Sequence, residues 1–217
     1  MSDFAYLRER MVRDLAAEGG IRDRRVLDAM LAVPRHLFVP KHLQVRAYGN
    51  HALPIGSEQT ISQPWAVARM TELLRVGPEQ TVLEIGTGSG YQAAILAHLA
   101  RRVYSLERIG ELAHQAIRRI RRLGLDNVKI QPFDGTLGWA EIAPVERILV
   151  TAGAPDAPKP LLDQLTVGGV LVVPEGSRED QRLVVYRRLK QGFQRREKET
   201  VSFVPLIGRH GWKAAKA

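Results

Sequence analysis

The stretch "VLEIGTGSGYQAAILAHL", residues 82–99, sets Gly86, Gly88 and Gly90 between an apolar run and a run rich in alanine and leucine. Glycine has no Cβ and accepts positive φ, so a strand-to-helix corner made of it lets a ligand come close to the backbone. The helix that follows points its first N–H groups at the same place, beyond the carboxyl ends of the strands. We read this corner as a cofactor loop. A dinucleotide fingerprint, G-x-G-x-x-G/A, would need a small residue at position 91. Tyr91 stands there instead. Two acids follow later apolar runs. Glu107 ends "VYSLE", where a carboxylate can accept two hydrogen bonds from a ribose diol. Asp134, in "QPFDG", is placed to accept from an adenine amino group, and turn chemistry alone also accounts for an Asp-Gly pair.

These residues need a frame. The apolar runs "TVLEIG", "RVYSLE", "VKIQ", "RILVTA" and "GVLVVP" alternate with helical segments at 90–100, 110–123 and 158–166. Parallel strands need crossovers, so the alternation predicts an α/β fold with a doubly wound, mostly parallel sheet. Ahead of it two amphipathic helices are expected, one with Leu7, Met11 and Leu15 on a face, the other with Val26, Leu27, Met30 and Leu31. Pro34 and Pro40 in "VPRHLFVP" end the second. Residues 47–63 lack periodicity and read as a loop. Pro64 then suits the first turn of a helix bearing Val67, Met70, Leu73 and Leu74. At the end, "RLVVYRRL" and "TVSFVPL", separated by the polar "KQGFQRREKE", read as an antiparallel pair closing the sheet. The basic "GRHGWKAAKA" is expected to be mobile beyond Trp212.

At 217 residues and 45% hydrophobic content the chain can bury one substantial core. We expect a single folded unit, with residues 1–63 packed as helices and loop on a core of 64–217. Without cysteine it has no disulfide, no thiolate nucleophile and no sulfur-bound zinc. The histidines, at 36, 42, 51, 98, 114 and 210, show no metal-ligand spacing, so no metal is expected. No apolar run approaches a membrane span, and the N-terminus lacks the apolar core of a signal peptide. The expectation is a cytoplasmic monomer. The net charge of +9 is mostly arginine, which could suit a polyanion but fits solvated side chains better. In "RRIRR" (118–122) the arginines are expected to point to water, beside an apolar stripe of Ile117, Ile120 and Leu123.

The E-x-G-x-G-x-G of Glu84–Gly90 resembles the first motif of S-adenosylmethionine-dependent methyltransferases. More specifically, "LPIGSEQTISQPWAVARMTELL", "VLEIGTGSGYQAAILA", "SLER", "DGTLGW", "ILVTAGAP", "LLDQLTVGGVLVVPEG" and "VSFVPL" resemble, in order, motifs of the protein-L-isoaspartate O-methyltransferase family. The likeness spans residues 12–207. It implies methyl transfer from S-adenosylmethionine to the free α-carboxylate of L-isoaspartyl residues in damaged proteins. The ester then re-closes to succinimide, and hydrolysis returns some normal aspartate. The resemblance implies that Ser62 is the active-site serine, with Gln59, Thr60 and Ile61 walling the cofactor and placing the acceptor. Glu84, Gly86, Gly88, Ser89, Glu107, Asp134 and Gly135 complete the implied cofactor site. Partners would be isoaspartyl proteins and peptides, with nucleic acid and membrane not expected.

An α-carboxylate with a pKa of about 3.3–3.7 is ionised at neutral pH, so the implied reaction needs no general base to make its nucleophile. Alignment in a dry cleft is most of the work. Read from the residues alone, Ser62, two before Pro64, is better explained as a helix cap, and the resemblance reverses that preference. Two positions depart from the family pattern, Glu58 and Phe133, where glycines are usual. Glu58 sets a negative charge beside a loop that would receive a carboxylate, and Phe133 could pack on adenine or alter the pocket. Trp65 and Trp139 are expected in loops flanking the cleft. Competing readings are an RNA methyltransferase, a nicotinamide oxidoreductase that Tyr91 fits poorly, and a catalytically silent binding protein.

Overall fold

The computed structural model describes residues 3–214; of the basic tail, 215–217 lie outside the described residues. The chain opens with α1 (Asp3–Ala17) and α2 (Arg24–Ala32), which bury Met11, Leu15, Val26, Leu27 and Met30. Leu31, expected on the same face, is exposed instead. Asp23 caps α2 by accepting from the Arg25 N–H at 3.0 Å. After α2 the prolines of "VPRHLFVP" frame two 3-10 turns, Arg35–Phe38 and Lys41–Arg46.

Residues 47–63, expected as a loop, contain a hairpin of β1 (Leu53–Gly56) and β2 (Gln59–Ile61). Its strands are too short for a pattern to stand out, although Leu53 and Ile55 are buried in strict alternation with exposed neighbours. Ser57 and Glu58 turn the corner with φ of 51° and 57°, the paired left-handed geometry of the tightest hairpins. The glycine that the resemblance leads one to expect at Glu58 would sit at this turn.

Next come α3 (Pro64–Leu74), β3 (Thr81–Ile85), α4 (Tyr91–Ala97), β4 (Arg102–Glu107), α5 (Gly110–Arg122), β5 (Val128–Pro132) and β6 (Val145–Val150). They are followed by α6 (Lys159–Asp163), β7 (Leu165–Gly176), β8 (Gln181–Arg188) and β9 (Phe193–Val201). The sheet runs β5-β4-β3-β6-β7-β8-β9. Strands β3 to β7 pair in parallel and β8 and β9 antiparallel, the doubly wound arrangement that the alternation of runs implies. Apolar side chains cover both faces. One cluster joins α1–α4 to Val82, Val103 and Leu149; the other gathers Leu83, Ile85, Leu106, Ile148 and Leu161. Chain order departs in opposite directions from β3, toward β4 on one side and β6 on the other, and so opens a crevice at their carboxyl ends.

Several boundaries differ from expectation. The polar "FQRREKETV" is β9 itself, because an edge strand with solvent on its outer side needs no apolar alternation. Most of "TVSFVPL" instead runs past it, bridging Gly153 through Pro205. The helix expected at 158–166 stops at Asp163, and β7 starts two residues later. Trp65 is in the first turn of α3 with Nε1 donating to the Gly19 carbonyl, and Trp139 is buried edge-on to Tyr104. Trp65 is thus helical, and Trp139, although in a loop as expected, is turned into the core and lines none of the clefts around Glu107, Ser89 and Ser62. Of "RRIRR", Arg119 does not simply face water: it is half-buried and donates to the Ser89 carbonyl at 3.2 Å. Trp212 is anchored by N–H donation to the Leu206 carbonyl at 2.7 Å.

Candidate active site

The carboxyl end of β3 runs into the glycine corner. Gly86 has φ 98°, and a Cβ there would lie 2.6 Å from Thr151 Oγ1. That hydroxyl faces the Ile85 and Gly86 carbonyl oxygens at 2.9 and 2.6 Å, so it fastens the corner to the end of β6. On the other side the Gly86 and Thr87 N–H groups donate to the Leu106 carbonyl at 2.8 and 3.2 Å. The loop is thus held from both flanking strands and is preorganised.

Glu107 is buried at the end of β4. Its Oε2 accepts from the Gly88 N–H at 2.8 Å and its Oε1 from the Ile109 N–H at 2.9 Å. Each oxygen keeps a lone pair, and the carboxylate lines a cleft together with Gln59, Thr60, Gly86, Gly88 and Gly135. Ser89 lines the adjoining cleft with Ile61, Ser62 and Gly88. These expected cofactor residues are therefore brought to one connected surface.

Two others are placed differently. Glu84 is fully buried beneath the loop and lines neither cleft. Its Oε2 accepts from Ser105 Oγ, which in turn meets Thr87 Oγ1, while Oε1 has no partner. Burial pushes its carboxyl up to about 8; the Ser105 hydrogen bond opposes the shift and the charge of Glu107 adds to it. A neutral acid under the loop supports it and cannot itself touch a ligand. Asp134 also lines neither cleft. Its Oδ1 accepts from the Thr136 N–H and hydroxyl at 3.0 and 2.7 Å, and its Oδ2 from the Arg209 N–H at 2.8 Å. Burial would raise its carboxyl, but the Arg209 and Thr136 bonds outweigh it and hold the pKa below the ordinary range. Both Asp134 oxygens are thus engaged in turn contacts.

Ser62 follows β2 and is half-buried. Gln63, which precedes α3, makes no side-chain cap, and the Trp65 N–H donates instead to Asn50 Oδ1 at 3.0 Å, so the Ser62 hydroxyl is not used as a helix cap. A third cleft opens on it, lined by Ala52, Thr60, Gln63, Ser202 and Phe203. Thr60 and Thr151 line all three clefts, and Ser62 lines the one at Ser89 and the one at Phe203. Glu58 is exposed at the hairpin tip and Phe133 is 44% exposed, and neither lines a cleft. Thr151, Ile109 and Leu206 were not singled out from the sequence. Thr151 was findable, since it directly follows the strand beside β3, where crevice residues of such sheets lie. Among the described residues, no group of three or more His, Asp or Glu side chains could hold a metal.

The sheet, the glycine corner and the buried acid closing β4 define an S-adenosylmethionine-dependent methyltransferase, whose cofactor fits this chain. A backbone floor without Cβ at Gly86 admits the ligand, and the Glu107 carboxylate has lone pairs left for a diol. Residues 7–211 match the model of the family described as Protein-L-isoaspartate(D-aspartate) O-methyltransferase. The chain belongs to that family. The Geobacter metallireducens protein-L-isoaspartate O-methyltransferase is 54% identical, over 97% of this chain and 98% of its own. A Syntrophobacter fumaroxidans relative of the same description is 51% identical over 98% and 100%. A solved protein-L-isoaspartate O-methyltransferase superposes with a TM-score of 0.84 at 28% identity, over 94% of this chain and 67% of its own. A Plasmodium falciparum relative solved with S-adenosyl-L-homocysteine gives 0.80 at 26% identity, over 92% and 98%.

Proposed function

We propose that this chain methylates the free α-carboxylate of L-isoaspartyl residues at the junction of its clefts, with Ser62 as the residue that orients the acceptor. The single observation that carries the proposal is the sharing of walls: Thr60 and Thr151 border the Glu107 cleft and the Phe203 cleft alike, and Ser62 lines the Phe203 cleft and the cleft at Ser89 that adjoins the Glu107 cleft. A donor in one and an acceptor in the other would meet there. When bound, S-adenosylmethionine supplies a methyl group on a positively charged sulfur. The chain does the rest by placement. Glu107, Gln59, Thr60, Ile61, Gly86, Gly88, Ser89 and Gly135 hold the donor side; Ser62 donates a hydrogen bond to one carboxylate oxygen and leaves the other free to attack.

No base is required, because the acceptor arrives ionised. Opposite charges are consumed together, so a dry, fixed cleft favours the reaction through alignment and exclusion of water. In this reading residues 1–63 and 64–217 act as one unit, since α1, α2 and the hairpin share a hydrophobic cluster with the sheet. Among the described residues no helix is long and apolar enough to cross a membrane, and the enzyme works as a cytoplasmic monomer on damaged proteins.

The deciding experiment gives the protein labelled S-adenosylmethionine and two peptides that differ only in aspartyl or isoaspartyl linkage. Base-labile methyl ester on the isoaspartyl peptide alone is the expected result. Equal labelling of both peptides, or none, would overturn the reading.

A further inference from the structure

Behind Ser62 lies a charged side chain that neither the glycine corner nor the acceptor chemistry explains. Arg35, in the first 3-10 turn, is fully buried. Its Nε donates to the Ala47 carbonyl at 2.7 Å and its Nη2 to the Ser62 carbonyl at 2.7 Å. Its guanidinium carbon sits 4.8 Å from the centroid of the Tyr91 ring, and Tyr91 lines the same cleft as Ser62 and Ser89. No carboxylate pairs with it among the described residues. Nη1 and the Tyr91 hydroxyl are both buried without a partner.

A buried cation without a counter-ion is costly. The two carbonyl hydrogen bonds offset part of that cost and tie the first 3-10 turn to the segment that carries Ser62, but they leave the charge itself uncompensated. We propose that Arg35 is a positioning residue for the acceptor: its planar fork fixes the backbone that carries Ser62, and its charge makes the wall behind Ser62 attractive to an anion. The two effects separate. Charge favours the bound carboxylate but not the neutral ester into which it is converted, so it acts on acceptor affinity. The fork sets the direction of Ser62 and so acts on the methyl-transfer step. Burial draws the guanidinium down to about 10, with Tyr91 opposing the shift, which leaves it charged at neutral pH.

The inference rests on the isoaspartyl reading, and its test keeps the two apart. Wild type, Arg35→Met and Arg35→Lys are assayed with one isoaspartyl peptide, and S-adenosyl-L-homocysteine affinity is measured by calorimetry. Arg35→Met is expected to raise the peptide KM about tenfold or more and to lower kcat. Arg35→Lys keeps a charge without the fork, so its KM stays close to wild type while kcat falls about tenfold. Product affinity changes by no more than about twofold in either, because Arg35 reaches the donor side only indirectly, through the Tyr91 ring and the Ser62 backbone. Equal KM values for the Met and Lys variants, an unchanged kcat in the Lys variant, or a loss of product affinity parallel to the rise in KM would each overturn the assignment. If the Met chain does not fold, the Lys chain decides alone: lowered kcat with KM held supports it and wild-type kcat refutes it. A wild type that makes no ester would end the functional reading and this inference with it; an active wild type with indifferent variants ends this inference only.

Discussion

Ser62 is bound to the chain by its backbone and left free at its hydroxyl, which is the division of labour an orienting group needs. Its carbonyl is held by Arg35, and α3 begins without asking for its side chain. Removing one hydrogen bond to a charged acceptor costs about tenfold to hundredfold in rate. Ser62→Ala should lose about that much kcat while product affinity, read by calorimetry, stays at the wild-type value; a large loss of product binding with normal turnover would contradict the role. Glu84 teaches a different lesson about a single residue. Its folded pKa is raised above that of an unfolded glutamate, so the folded state binds the proton more tightly. Stability from this group is fully present below about pH 4.3 and is lost as pH rises toward about 8, with a slope of up to ~1.4 kcal/mol per pH unit. Glu84→Gln removes that slope. Urea unfolding at several pH values should show the variant gaining on wild type between pH 5 and 8, and parallel curves would show that the carboxyl is not neutral when folded.

At the scale of elements, the hairpin of β1 and β2 carries Gln59, Thr60 and Ile61 to the cleft, and its corner is strained. Glu58 holds a left-handed φ of 57°, which costs a residue with a Cβ about 1–2 kcal/mol. Part of that is offset by the extra freedom glycine would have unfolded. Glu58→Gly should raise the melting temperature by about 1–3 °C and a β-branched Glu58→Val should lower it; a Gly variant that melts lower would mean the corner is relaxed. This hairpin also marks where the sequence was legible and where it was not. The parallel strands were, because burial on both faces forces runs such as "TVLEI" and "RILV" that nothing else in a chain of this size explains. Strands β1, β2 and β9 were not: two are only four and three residues long, and the third is an edge whose charges replace alternation. The glycine corner and Glu107 announced themselves by spacing, whereas Thr151 and Arg35 reach the site through folding over 65 and 27 residues of chain. Asp134 and Glu84 show the converse, acids at motif positions that the fold engages itself, both oxygens of Asp134 by backbone N–H groups and a hydroxyl and Oε2 of Glu84 by the Ser105 hydroxyl.

Across the whole molecule, charge and ligand contacts are distributed unevenly. On the last strands Arg195 pairs with Glu175 and Glu197, and Glu199 of β9 pairs with Arg69 of α3, which also pairs with Glu72. The cleft around Glu107 draws its walls from segments far apart in sequence: Gln59 and Thr60 of the hairpin, Gly86 and Gly88 of the corner, Gly135 after β5, and Val204 to Ile207 after β9. A ligand there stabilises the native state by mass action, about 2.7 kcal/mol at one hundred times its dissociation constant. The gain is felt wherever local opening would break the cleft. S-adenosyl-L-homocysteine should therefore slow amide exchange at Thr60, Gly135 and Leu206 as strongly as at Gly88, while residues 193–199 of β9, outside the cleft, exchange at unchanged rates. Hydrogen-exchange mass spectrometry with and without the product reads this directly. Protection confined to the glycine corner would mean that the hairpin and the segment after β9 do not close on the ligand, and the common border at Thr60 could no longer carry the proposed transfer.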